Sequence, residues 1–321
     1  MSSSITVDTR IALVRQGLLA QPNSPKVLLR LAEALAEKGE STEAADVFRR
    51  AYLQAPVPWL GRPGASPDDQ RAEAAALIEH GAIFSATIAT LAIALANSGH
   101  PEEVERLVDY DRFFQDTMLE PPAGLGLEDF NAALAAEIKT NLKFYEKPKG
   151  RAIRNAWRDD DIMRSARPAS RAFAAAIRSA AERYIASLPK AADHPFLESC
   201  PAEFEIEGWA NVSDGASHHE SHIHGRAWAS GVYYVVEPAI AREPGRQQGW
   251  LRLGPPEHRG VLPGQGWGER LIAPTPGRLV LMPAYFYHST EPTGVDQERI
   301  CIAFDIVPAE IAAAGSEASD Y

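Results

Sequence analysis

Apolar residues recur at helical spacing from the N-terminus to about Leu188, and alanine is abundant throughout that stretch. Beyond Cys200 the pattern changes to short apolar runs cut by Gly and Pro. The first pattern predicts amphipathic helices and the second predicts strands, so the chain divides into layers or domains of different class. Strands are expected at 203–211, 220–224, 229–236, 249–253, 269–272, 278–283 and 298–306, a spacing that suits a sandwich or barrel. Ahead of them, Ala132, Leu134, Ile138 and Leu142 mark one helix. Phe173, Ile177, Ala181, Tyr184 and Ile185 mark another, ended by Leu188-Pro189. Helices in this position are expected to cover the outer face of the sheet.

The N-terminal helical pattern contains a repeat. Leu28, Leu31, Ala32, Leu35, Gly39, Ala44, Phe48, Ala51 and Pro56 fall on the spacing of one tetratricopeptide repeat, which this segment resembles. The physical logic is a close helix pair: Ala32, Ala44 and Ala51 let two antiparallel helices approach, Gly39 opens the turn, and Pro56 stops the second helix. A weaker copy follows with Leu91, Ala92, Leu95 and Gly99, where Val104 and Val108 stand in for the expected small and aromatic residues. A half-repeat, Ile11 to Pro22, precedes the good copy.

Composition narrows the field. A hydrophobic fraction of 45% and a charged fraction of 23% are those of a folded protein. The net charge of −11 disfavours nucleic-acid binding, and the only short basic stretch, Lys143–Lys149, reads as a solvated turn. Two cysteines, Cys200 and Cys301, fit a reducing compartment rather than a disulfide framework. No export signal or membrane-spanning run is visible, so a soluble cytoplasmic protein is expected.

Candidate chemistry concentrates in one place. Four of the nine histidines, His218, His219, His222 and His224, lie within seven residues. His222 and His224 leave the same face of a strand end and could occupy adjacent positions on one metal. His288, after the strand that ends at Pro283, is the candidate third ligand. Three ligands on one side of iron leave positions for a bidentate cosubstrate and dioxygen. Arg299 opens the strand in which Arg299, Cys301 and Ala303 share a face, and its guanidinium could bind a carboxylate through two parallel hydrogen bonds. The pair His218 and Glu220 competes with His222 and His224 as a His-x-acid alternative.

The run His222-Ile223-His224-Gly225-Arg226-Ala227-Trp228-Ala229-Ser230-Gly231-Val232-Tyr233-Tyr234 resembles a bacterial and phage family of 2-oxoglutarate-Fe(II) oxygenases. Gly208-Trp209-Ala210-Asn211, Gly249-Trp250-Leu251-Arg252-Leu253 and the block from Pro276-Gly277 to Arg299 fall in the family's order. The resemblance covers about 200–307. It implies an α+β chain whose C-terminal domain is a double-stranded β-helix (jelly roll), with Fe(II) on His222, His224 and His288 and 2-oxoglutarate anchored on Arg299. Asn211, Tyr233 and Ser230 fall where cosubstrate contacts are expected. Gly225 replaces the family's proline, and His224 stands where the wider superfamily prefers an acid.

The expected organisation is tetratricopeptide-like helices over 1–115, a helical segment over 116–200, the oxygenase core over 201–310 and a tail over 311–321. The expected function is hydroxylation of a protein, peptide or small molecule with release of succinate and CO2. A cosubstrate-free three-histidine cupin-like dioxygenase and a non-catalytic tetratricopeptide adaptor remain open alternatives. The helical region, without ligand-spaced clusters, is expected to recognise a protein or peptide substrate, and a homodimer is possible. No nucleic-acid or membrane partner is expected.

Overall fold

Close-packed alanines build the N-terminal layer of the computed structural model, which describes residues 5–55, 64–145, 152–154, 156–191, 193–213, 217–243 and 245–314. Helices α1 (Val7–Ala20), α2 (Pro25–Lys38), α3 (Ser41–Gln54) and α4 (Pro67–Glu79) follow one another as antiparallel neighbours. Leu28, Ala32, Ala44, Phe48 and Ala51 are all at most 1% exposed, so the α2–α3 contact is a dry core. Gly39 sits in the left-handed region (φ 86°) that closes α2, and the next N–H, of Glu40, reaches Leu35 O at 2.9 Å. Pro56, expected to stop α3, lies outside the described residues.

The next helices behave differently. Helix α5 (Ser85–Asn97) is buried along nearly its whole length, and α6 (Pro101–Leu107) and α7 (Tyr110–Phe113) follow it into the core of the sheet domain. Conversely Val307 and Ile311, from the last described strand and helix, complete the core of α1–α4. The weaker repeat copy therefore belongs energetically to the sheet domain, and the two layers share their boundary.

The stretch 116–200 is not only helical. Strands β1 (Gln115–Met118), β2 (Lys143–Tyr145), β3 (Ile153–Arg154) and β4 (Ala156–Asp159) accompany α8 (Leu127–Ile138), α9 (Pro168–Ser187) and α10 (Pro195–Glu198). Further on come β5 (Phe204–Ser213), β6 (His218–His222), β7 (Ala229–Val236), β8 (Leu251–Leu253), β9 (Arg270–Ile272), β10 (Arg278–Pro283), β11 (His288–Thr290), β12 (Arg299–Pro308) and α11 (Ala309–Ala313). They form two antiparallel sheets, ordered β1-β10-β7-β12-β5-β4-β2 and β3-β6-β11-β8-β9.

Strands β7, β10 and β12 are buried on both faces because helices cover one side and the second sheet the other. On β12, Ile300, Ile302, Phe304 and Ile306 face the helices, each 0% exposed. Gly231 on β7 permits that packing: a Cβ there would lie 2.3 Å from the Phe304 ring and 2.6 Å from Val280 O. The alternate row, Arg299, Cys301, Ala303 and Asp305, faces the space between the sheets. No helix among the described residues is long and apolar enough to cross a membrane.

Candidate metal centre

Register brings the histidines together. His288 at the start of β11 pairs directly with His222 at the end of β6, and His224 follows two residues later, its N–H bonded to Ala284 O at 3.0 Å. Their rings converge, and one ligand atom from each of His222, His224 and His288 lies within 4.8 Å of the others. All three are buried, at 5%, 5% and 8% exposure.

Each ring is oriented from behind. Nδ1 of His222 meets the Glu220 carbonyl at 2.7 Å, and Nδ1 of His288 meets the Phe286 carbonyl at 2.9 Å. Nδ1 of His224 meets Asp305 Oδ1 at 2.6 Å. Acceptors at every Nδ1 favour the Nδ1–H tautomer, in which Nε2 keeps its lone pair for a metal. Nε2 of His222 and His224 are 3.2 Å apart. Two nitrogens at right angles on a metal, each at about 2.1 Å, would stand about 3 Å apart, so the pair fits an octahedral ion without rearrangement. Burial first, then the neighbouring His222 and His224, holds the His288 imidazole well below its usual pKa and therefore neutral.

The competing pair, His218 and Glu220, stays outside the cluster. Glu220 is exposed and lines a cleft with Arg252, His288 and Ser289, whereas His219 lines the cavity beside His222. Among the described residues, neither Glu220 nor His218 joins the three-histidine cluster.

From this cluster a narrow cavity of about 50 Å³ extends between the sheets, lined by Trp209, Asn211, Ser230, Val232, Leu251, Met282, Cys301 and Ala303 among others. Asn211 is 1% exposed, and its amide oxygen and nitrogen both lack a hydrogen-bond partner among the described residues. Ser230 lines the cavity, but its hydroxyl donates to Asp305 at 2.7 Å. Arg299 continues the β12 row past Cys301, with Nη1 3.4 Å from Cys301 Sγ. It is 4% exposed, its Nε lacks a partner, and no carboxylate pairs with it among the described residues. The other candidate cations are engaged: Arg226 with Glu207 (3.4 Å) and Ile311 O, Arg278 with Asp116 (3.2 Å), and Arg252 with Glu269.

Tyr233 is a correction. Its hydroxyl donates to Asn131 at 2.6 Å and its ring packs on Phe173, so it faces α8 and α9 rather than the cavity. Tyr234 takes the inner face instead, buried completely, its hydroxyl without a partner among the described residues. Burial pushes that phenol well above its usual pKa, so it is a neutral donor. Sequence reasoning missed Tyr234 and Asp305. The signal for Asp305 was available: a lone acid two residues past Ala303, on the same face as Arg299.

Residues 207–305 match the family model described as "Putative 2OG-Fe(II) oxygenase". The matched segment carries every cluster residue, and it makes the sheet domain an oxygenase domain of the iron and 2-oxoglutarate kind. Among curated proteins, no relative matches the chain. Among solved structures, a Pseudomonas putida prolyl-4-hydroxylase is similar with a TM-score of 0.42 at 17% identity, covering 64% of this chain and 98% of that one. A Trichoplax adhaerens prolyl hydroxylase, solved with a hypoxia inducible factor peptide fragment, gives 0.44 at 14% identity, covering 68% and 94%. The carbocyclase SnoK from nogalamycin biosynthesis gives 0.43 at 12% identity, covering 65% and 84%.

Proposed function

We propose that the chain is an Fe(II)/2-oxoglutarate-dependent dioxygenase that hydroxylates its substrate and releases succinate and CO2. In this reading the two sheets act as a double-stranded β-helix, and the N-terminal helices are tetratricopeptide-like repeats. One observation carries it: Arg299 is buried without a carboxylate partner among the described residues, on the strand face that leads to three convergent histidines. An unpaired buried guanidinium costs several kcal/mol, roughly 3–5 when a partner is lost, so the site favours a dianion that joins the metal to Arg299.

Bound iron supplies dioxygen activation coupled to oxidative decarboxylation of the cosubstrate. The chain's own residues do the remainder. His222, His224 and His288 would hold the metal together through their Nε2 atoms. Arg299 takes the distal carboxylate, with the Tyr234 hydroxyl as a second donor. The Asn211 amide, open on both atoms, offers a donor and an acceptor along the way. Val232, Leu251 and Met282 keep the channel dry.

A protein or peptide substrate is the reading the helical layer favours. A cleft of about 1090 Å³ lies between α3 and α5 on one side and residues 198–203 and the end of β12 on the other. An all-histidine ligand set favours one rival, a cosubstrate-free cupin-like dioxygenase, but that chemistry has no use for Arg299. The test is anaerobic titration of the full chain with Fe(II) and then 2-oxoglutarate, followed by succinate assay and a product-mass screen against peptides and cell extract. Iron uptake without any 2-oxoglutarate binding would exclude this function in favour of the rival.

A further inference from the structure

The three histidines are not held alike. His222 and His288 each face a neutral backbone carbonyl at Nδ1, at 2.7 and 2.9 Å. His224 instead faces a carboxylate oxygen, Asp305 Oδ1, at 2.6 Å. The two side chains are only 6% and 3% exposed. The same oxygen accepts from the Ser230 hydroxyl at 2.7 Å. Asp305 is fixed by register as well, paired with Ser230 on β7 and Glu207 on β5 in the middle of the large sheet.

A buried carboxylate needs a compensating charge or donors. Arg226 pairs instead with Glu207, the residue opposite Asp305 on β5, at 3.4 Å. Among the described residues, only His224 forms an ion-pair contact with Asp305. Within the sheet the carboxylate accepts only from the neutral Ser230 hydroxyl among the described residues, and its neighbours on the row are Ala303 and Val307. Its strand pairing would be served equally by a small residue. What it does serve is the imidazole of the one ligand that stands where an acid is usual in this superfamily.

A carboxylate can only accept, so the shared proton sits on Nδ1 of His224 and the Nε2 lone pair is turned to the other two histidines. A full negative charge behind the ring also raises the donor strength of Nε2 beyond what a backbone carbonyl gives. A facial triad with an acidic ligand places one negative charge on the metal, and three neutral imidazoles place none. Asp305 restores that charge from one ring away.

We propose that Asp305 is a positioning residue for the metal, holding His224 in its Nδ1–H form and supplying from behind it the negative charge that an acidic ligand would provide. The inference rests on the metal site proposed above, and its test is chosen to separate the two. The full chain, freed of metal, is titrated anaerobically with Co(II), followed by its ligand-field absorption, for wild type and for the Asp305→Asn, Ser230→Ala and His222→Ala variants. Asn keeps the shape and an acceptor oxygen but removes the charge, and binding should weaken by about 10- to 100-fold, the usual effect of losing such a partner. Ser230→Ala, which removes only a neutral donor, should weaken binding less than about threefold. In the metal-free wild type, imidazole 15N shifts should report His224 as the Nδ1–H form.

Equal Co(II) affinity of Asp305→Asn and wild type, with His222→Ala defective, would overturn the role of Asp305 and leave the metal site intact. Failure of the wild type to take up Co(II) would overturn both. If Asp305→Asn does not fold, the nitrogen shifts decide: a wild-type His224 protonated at Nε2 is incompatible with the proposal.

Discussion

The guanidinium carbon of Arg299 lies 5.6 Å from the centroid of the Tyr234 ring, so the cation and the phenol face the same buried corner from neighbouring strands. Both are at most 4% exposed, and neither makes a hydrogen bond to a carboxylate among the described residues. A charged donor set without an anion is the signature of a site that waits for one. Arg299→Ala should therefore raise the apparent constant for 2-oxoglutarate by at least about tenfold, since losing a desolvated charged partner costs about 2–5 kcal/mol. Arg299→Lys should recover part of the loss, because it restores the charge but not the two-pronged geometry. Initial rates of succinate formation over a range of cosubstrate concentrations measure both.

His222→Ala and His288→Ala should each abolish iron binding while the far-ultraviolet circular dichroism stays that of the wild type. The rings meet at the end of β6 and the start of β11, and neither forms part of the greasy core between sheet and helices. His224→Ala should be equally damaging. Glu220→Gln should change turnover little, because Glu220 is exposed and stays outside the three-histidine cluster. Iron content after desalting provides the comparison, and full occupancy in the His222 and His288 variants would rule out the centre described here.

His194 gives a pH signature of the fold rather than of the site. Its Nδ1 accepts from Phe196 N–H at 3.0 Å, its Nε2 meets Leu107 O at 3.2 Å, and its ring lies 4.6 Å from that of Phe113. Burial lowers its pKa from 6.5 to about 4, against the opposing effect of the Leu107 carbonyl. The folded state thus resists protonation that the unfolded chain accepts. Stability is complete above about pH 6.5 and falls as pH drops toward 4, by up to about 1.4 kcal/mol per pH unit from this group. Asn at 194 can still accept from Phe196 N–H but does not titrate. Urea unfolding between pH 5 and 7 should show a shallower loss for His194→Asn, and identical slopes would mean that His194 is charged in the fold.

Much of the large sheet was legible because its strands are apolar runs bounded by Gly and Pro. The expected strands at 229–236 and 278–283 coincide with β7 and β10. β11 was not legible: it is three residues, His288–Thr290, with no apolar run, and it exists because β6 and β8 flank it. β1 reads Gln-Asp-Thr-Met and is mostly exposed, so pairing with β10 and not pattern makes it a strand. The histidine cluster could be found because a metal demands dense ligands at short spacing. Tyr233 and Tyr234 could not be told apart in the same way. β7 is buried on both faces, so its sequence lacks the alternation that would say which tyrosine looks inward.

The cleft between the helical layer and the sheet domain offers a test of what the helices are for. Arg49 and Arg50 lie on α3 at its edge, while Arg226, Glu203 and Glu310 line it from the other side. Among the described residues Arg49 forms an ion pair only with Asp46 of its own helix, at 45% and 58% side-chain exposure, so reversing its charge should cost little stability. Removing the helices altogether would be a poor test, because Val307 and Ile311 would lose the core they complete. The double substitution Arg49→Glu, Arg50→Glu leaves that core untouched. If the cleft recognises an acidic protein or peptide segment, substrate hydroxylation should fall by at least about tenfold, equivalent to about 1.4 kcal/mol of binding. Slow 2-oxoglutarate consumption in the absence of substrate should persist, since neither arginine approaches the histidines. Unchanged hydroxylation of the substrate recovered from the peptide screen would assign the helices a purely packing role, and parallel loss of both rates would point to damage at the shared boundary.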